Sequence, residues 1–177
     1  MKRTAFAILL ALFLPVAFSG SSQAADDYPL GPDSQRQEGV PRGEVTQHSL
    51  ASNVFPGTNR DYWIYVPKQL DPQKPAPFLV VMDGQSYLKE DGQFRTTIVC
   101  DNLIHKGELP PLIVIFVSPG TLPAAAPGAK SRSNRSFEYD SMGDRYSRFV
   151  HEELLPEVEK KHKLSQNPEC RGTAGIS

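Results

Sequence analysis

The sequence predicts an α/β fold: a mostly parallel sheet with antiparallel leading strands and helices on both faces. Three observations carry that expectation. Residues 78–82 (FLVVM) and 112–117 (LIVIFV) are continuous apolar runs, as strands covered on both faces must be. Segments of helical period follow each of them. A third short strand, residues 170–174, then leads into Gly175, completing a strand–helix–strand–helix–strand order.

The 177 residues suit one domain of ordinary size. Composition, with 39% hydrophobic and 22% charged residues, is that of a globular protein. The formal charge of −1 offers no basic surplus for nucleic acid or an anionic membrane surface. Residues 1–24 differ from the rest. Lys2 and Arg3 precede an almost unbroken apolar stretch at 6–18, and Ser22-Gln23-Ala24 supplies small residues for cleavage. The stretch is short for a membrane span of about 20 residues. A cleaved signal peptide is expected, ending at Ala24, with the mature protein secreted or periplasmic and free of the membrane. No cysteine beside that site suggests a lipid anchor.

Export would put Cys100 and Cys170 where a disulfide can persist, but spacing alone does not show that they approach. Two unpaired thiols remain the simpler reading. Neither the cysteines nor the four histidines have short metal-ligand spacings, so no metal is expected.

Residues 25–43, rich in Pro, Gly, Gln and charge, suggest an extended N-terminal arm. Residues 44–52 alternate as an edge strand does, and 62–66 (YWIYV) form a β-rich run closed by Pro67, with Asn59-Arg60 in a turn before it. The two make an antiparallel hairpin. Residues 94–105 suit a helix stopped by Gly107. Residues 119–140 look like a long loop with a functional role. Over residues 144–162, Tyr146, Phe149, Val150, Leu154 and Val158 recur at helical spacing, with Asp144 able to cap and Pro156 set to kink the helix or start a new turn.

Gly175-Ile176-Ser177 begins the pattern G-x-S-x-G, in which a serine stands on a sharp strand-to-helix turn clear of the sheet edge. Three letters are weak evidence alone, but they follow a strand that follows an amphipathic helix. Met82-Asp83-Gly84-Gln85 ends the first apolar strand. Acyl transfer needs N–H donors aimed at a developing oxyanion, and Gly84 would let the chain turn so that the Gln85 amide faces the site. An ordinary Asp-Gly turn explains the same residues.

The run FLVVMDGQSY, the segment NRSFEYDSMGDRYSRFVHEELLPEVEKKH and the terminal GTAGIS together resemble the esterases related to enterochelin (ferric-siderophore) esterase. Feruloyl esterases, S-formylglutathione hydrolase and the mycolyltransferases belong to the same superfamily. The resemblance runs from about residue 44 to the end. It implies an α/β-hydrolase fold, here its N-terminal half over 44–177, and a Ser-His-Asp/Glu triad hydrolysing esters without a cofactor. By position, Ser177 matches the nucleophile, and Gln85, following Gly84, matches an oxyanion amide. Arg135, Glu138 and Tyr139 fall in the loop that borders the substrate cleft, a looser match.

Triad order in this fold is Ser, then acid, then His, so both partners are expected beyond Ser177. None of His48, His105, His151 and His162 is expected to be the base, and this fragment is expected to be inactive. The substrate is expected to be a small-molecule or polysaccharide-linked ester of siderophore, feruloyl or acetyl type. Acyl transfer to a sugar would use the same serine turn. A non-catalytic binding protein on the same scaffold is the alternative. A flavodoxin-like domain would need a Gly-rich phosphate loop that Asp83-Gly84-Gln85-Ser86 does not supply. Asn134-Arg135-Ser136 fits a glycosylation acceptor by chance.

Overall fold

Every residue of Ile113–Val117 is buried, and that strand dictates what surrounds it. A strand apolar on both faces needs a covering layer on each side and a partner on each edge. The computed structural model, which describes residues 29–176, has all four. The expected signal peptide, residues 1–24, and Ser177 lie outside the described residues.

In chain order the strands are β1 (Glu44–Ala51), β2 (Asn59–Val66), β3 (Phe78–Met82), β4 (Ile113–Val117), the two-residue β5 (Thr121–Leu122) and β6 (Arg132–Ser133), and β7 (Arg171–Ala174). The helices are α1 (Gln85–Leu88), α2 (Thr96–Lys106), α3 (Arg135–Tyr139), α4 (Arg145–Arg148) and α5 (Leu155–Glu159). β4 lies between β2 and β3, and β7 lies on the far side of β3. β3, β4 and β7 are parallel, while β1–β2 and β2–β4 are antiparallel. The α/β expectation, with its leading hairpin, matches this sheet.

Period-two alternation sorts the core into two layers. Ile113, Ile115 and Val117 share one face with Tyr62, Ile64, Phe78 and Val80, packed on Phe149, Val150, Leu154 and Val158. Val114 and Phe116, with Trp63, Tyr65 and Val81, meet Tyr87, Cys100 and Ile104 on the other. A one-residue slip of β4 would exchange these sets, and each large side chain moved into water would cost about 1.5–3 kcal/mol.

Several local expectations need correction. Asn59 and Arg60 do not sit in a turn; they open β2, paired with Ala51 and Leu50. Residues 119–140 are not a loop throughout, because β5, β6 and α3 are embedded there. The expected helix at 144–162 runs from Arg145 to Glu159, through a π-helical turn at Phe149–Leu154 where the Leu155 amide reaches back five residues to Val150. Pro156 has no N–H, and its ring would strike the carbonyl four residues back in a regular helix; the wider turn before it relieves that conflict. Asp144 precedes α4 but its side chain caps nothing. α2 does end at Gly107, whose φ of 76° lets its amide reach the Ile104 carbonyl. Cys100 and Cys170 are both free thiols, and burial pushes the Cys100 thiol up to about 12.

The described part of the N-terminal arm is tied to α2. Asn102 Nδ2 donates to the carbonyls of Asp33 and Gln35, both at 2.8 Å. Asp101, buried on α2, accepts from Arg36 at 2.6 Å, the Gly43 amide at 2.8 Å and the Tyr65 hydroxyl at 2.7 Å. Three partners are enough to keep a buried carboxylate satisfied.

On the opposite face His48 stacks on Tyr62, with ring centroids 5.1 Å apart, and its Nε2 lies 3.0 Å from Thr46 Oγ1. Burial lowers the pKa of His48, helped by Lys161; burial, then Lys161 and His48, lower that of His162. A depressed histidine pKa means the unfolded chain takes up its protons first as pH falls. Stability should therefore be whole above the ordinary histidine pKa of about 6.5 and decline as pH drops below it toward the folded values. Urea midpoints at pH 7.5 and 5.5 would read the loss, and the double variant His48→Gln/His162→Gln should flatten it. An equal decline in that variant would place the effect elsewhere.

Candidate active site

Parallel strands end on one edge of a sheet, and ligands bind outside that edge. β3 and β7 pair through Val81↔Ala174, so Met82-Asp83 and Gly175 emerge side by side. A methyl group added at Gly175 would lie 3.1 Å from the end of the Met82 side chain. Beyond these two strand ends opens a cleft of about 390 Å³, lined by Met82, Asp83, Arg135, Glu138, Tyr139, Asp140, Ser141, Gly143, Tyr146, Gly175 and Ile176.

The turn after β3 is tightly specified. Asp83 has a left-handed φ of 53°, uncommon for a residue with a side chain. Gly84 sits so close to β4 that a Cβ would lie 2.5 Å from the Phe116 carbonyl carbon and the Val117 nitrogen. Its amide donates to the Val117 carbonyl at 3.0 Å, so the Gly84 N–H is already used. The next amide, that of Gln85 at the start of α1, has no backbone partner among the described residues. Gln85 borders a separate polar cleft with Asn59, Asp61, Trp63, Ser118 and Thr121.

α3 forms the facing wall. Arg135 and Tyr139 lie one helical turn apart, with Glu138 beside Tyr139. Glu138 is fully buried and binds Arg60 through both oxygens, at 2.8 and 3.2 Å. It also accepts from the Gly120 amide and from Asn134 Nδ2 at 3.0 Å. The Arg60 guanidinium lies 3.9 Å over the Phe149 ring. Arg135 instead grips the Asp83 carboxylate, Nε to Oδ1 at 2.9 Å and Nη2 to Oδ2 at 2.7 Å. The Asp83 amide points at the Tyr139 hydroxyl, 3.4 Å away. Burial raises the Tyr139 pKa, so its hydroxyl is a neutral donor or acceptor near pH 7. Tyr146, on α4, meets the Tyr139 ring edge-on at 5.1 Å. Its buried hydroxyl has no hydrogen bond of normal geometry among the described residues.

Of the residues singled out in the sequence, Arg135, Glu138 and Tyr139 line this cleft, Gly84 and Gln85 follow Asp83 in the turn but are not in its lining, and Ser177, next after Ile176 in the sequence, lies outside the described residues. Asp83 and Tyr146 also line the cleft, without having stood out as site residues in the sequence. Asp83 had a signal, a charged residue ahead of a glycine at a strand end, whereas Tyr146 was absorbed into the apolar stripe of its helix. None of the described histidines lines the cleft. Among the described residues no group of three His, Cys, Asp or Glu side chains could hold a metal ion.

A family model for esterases matches residues 52–177. The chain belongs to this esterase family. Solved structures support its fold. A ferulic acid esterase from Anaeromyces mucronatus, in complex with ferulic acid, superposes with a TM-score of 0.62 at 19% identity, over 82% of this chain and 53% of that one. The ferric enterobactin esterase from Salmonella typhimurium gives 0.63 at 23% identity, over 85% and 34%. The feruloyl esterase module from Clostridium thermocellum gives 0.56 at 19%, over 87% and 52%. At these identities the likeness is one of fold. The chain spans about half the length of the feruloyl esterases and a third of the enterobactin esterase.

Proposed function

We propose that this member of the esterase family serves as the nucleophile-bearing part of an exported serine esterase hydrolysing carboxylic esters. The observation that carries the reading is the pairing of β3 with β7. It brings Met82-Asp83 and Gly175-Ile176 to one cleft edge, with Gly84 and Gln85 following Asp83 in the chain. Ser177 would attack the ester carbonyl, and the Gln85 amide would donate to the oxyanion. The histidine base and its carboxylate partner would follow Ser177 in the chain, as triad order requires. Siderophore, feruloyl and acetyl esters all fit this chemistry. The signal-like residues 1–24 favour a secreted or periplasmic site of action, and no helix of the described residues is long and apolar enough to cross a membrane.

The test is hydrolysis of a chromogenic short-chain ester by the full-length gene product and its Ser177→Ala variant, beside the 177-residue chain produced alone. Loss of a nucleophile that acts with its base should lower kcat by about a millionfold, and the isolated chain should turn over no faster than the variant. Undiminished turnover in Ser177→Ala would refute the assignment. A full-length product that binds an ester without cleaving it would favour the non-catalytic alternative.

A further inference from the structure

The Asp83 side chain, in the turn after β3, is met at the cleft by the Arg135 guanidinium fork. We propose that Arg135 and Tyr139 are positioning residues, which hold Asp83 in its left-handed conformation and thereby aim the Gln85 amide, and do not themselves contact the ester. This rests on the esterase reading above.

The geometry supports the proposal at each link. A left-handed φ of 53° is uncommon for a non-glycine residue, though less so for Asp, and contacts that hold it there favour it. Arg135 fixes the Asp83 carboxylate in two-point fashion, and the Tyr139 hydroxyl faces the Asp83 amide, so both ends of the residue are held by one helix. That helix is itself immobilised through Glu138, whose carboxylate is locked to Arg60 in the core. Gly84 is pressed against β4 and bonded to Val117 on one side of the turn, and Asp83 anchors the other side, so the two anchors together set how the turn presents the Gln85 N–H. A half-exposed ion pair contributes little to global stability. Its geometry, two parallel hydrogen bonds, is what a positioning role needs.

The distinguishing experiment uses the full-length gene product with Arg135→Ala and Arg135→Lys. An amide that acts on the oxyanion stabilises the transition state and not the bound ester, so Arg135→Ala should lower kcat about 10- to 100-fold with KM changed less than about threefold. Arg135→Lys, which keeps the charge but not the fork, should recover part of that loss. Amide hydrogen exchange at residues 83–86 should quicken in Arg135→Ala while β3 and β4 keep their protection. A raised KM with kcat intact would mean that Arg135 touches substrate, and would overturn the proposal. So would exchange at 83–86 identical to wild type. The exchange measurement needs no turnover, so it judges the clamp even if Ser177→Ala disproves the esterase reading.

Discussion

Glu138→Ala should lower the unfolding free energy by about 3–5 kcal/mol, the cost of leaving one member of a buried ion pair alone. Both side chains of the Arg60–Glu138 pair are fully buried, and Glu138 also accepts from the Gly120 amide and Asn134. Truncation would strand the guanidinium between the Phe55 and Phe149 rings, whose quadrupoles offset only part of its desolvation. Against a total stability of about 5–15 kcal/mol, that loss is a large fraction. Urea unfolding of the wild type and variant measures it through the midpoint at constant slope. The control is Arg60→Met/Glu138→Leu, which removes both charges and should recover much of the loss. A midpoint shift in Glu138→Ala equivalent to less than about 1 kcal/mol would show that the Arg60–Glu138 pair does not hold α3 to the core.

That pair also marks where sequence reasoning ran short. The strands β3 and β4 were legible because covering both faces leaves a continuous apolar run, here of strand length and rich in β-branched residues. Arg60 carries no such mark. A polar residue next to Asn59 looks like turn chemistry, and its burial follows from a partner 78 residues away. β5 and β6 are two residues each, too short for any period to register. Tyr146 was visible as an apolar helix position, and only the packing of α4 against α3 turned it toward the cleft. The turn at Asp83-Gly84 is legible in the sequence, but why Gly84 must be glycine shows only against β4. An ordinary Asp-Gly turn needs glycine for its torsions, whereas Gly84 has helical torsions and needs to be glycine for space.

Gly84→Ala is therefore expected to harm both stability and catalysis. The added methyl would lie 2.5 Å from two backbone atoms of β4 and 2.6 Å from the Phe116 Cβ. β4 is the fully buried strand between β2 and β3 and cannot retreat, so the turn must lift. Lifting it breaks the Gly84–Val117 hydrogen bond and carries the Gln85 amide away from the cleft edge. Overpacking of this kind costs about 1–3 kcal/mol. If the Gln85 amide serves the oxyanion as proposed, a displacement near 1 Å can cost about 100-fold in rate. Gly107→Ala is the instructive comparison, because Gly107 has a φ of 76° but open space around it. That variant should lose about 1 kcal/mol through torsional strain alone and leave kcat untouched. Thermal or urea unfolding, with kcat on a chromogenic ester, separates the two. If Gly84→Ala matched Gly107→Ala in both readouts, the close approach to β4 would not be what fixes the turn.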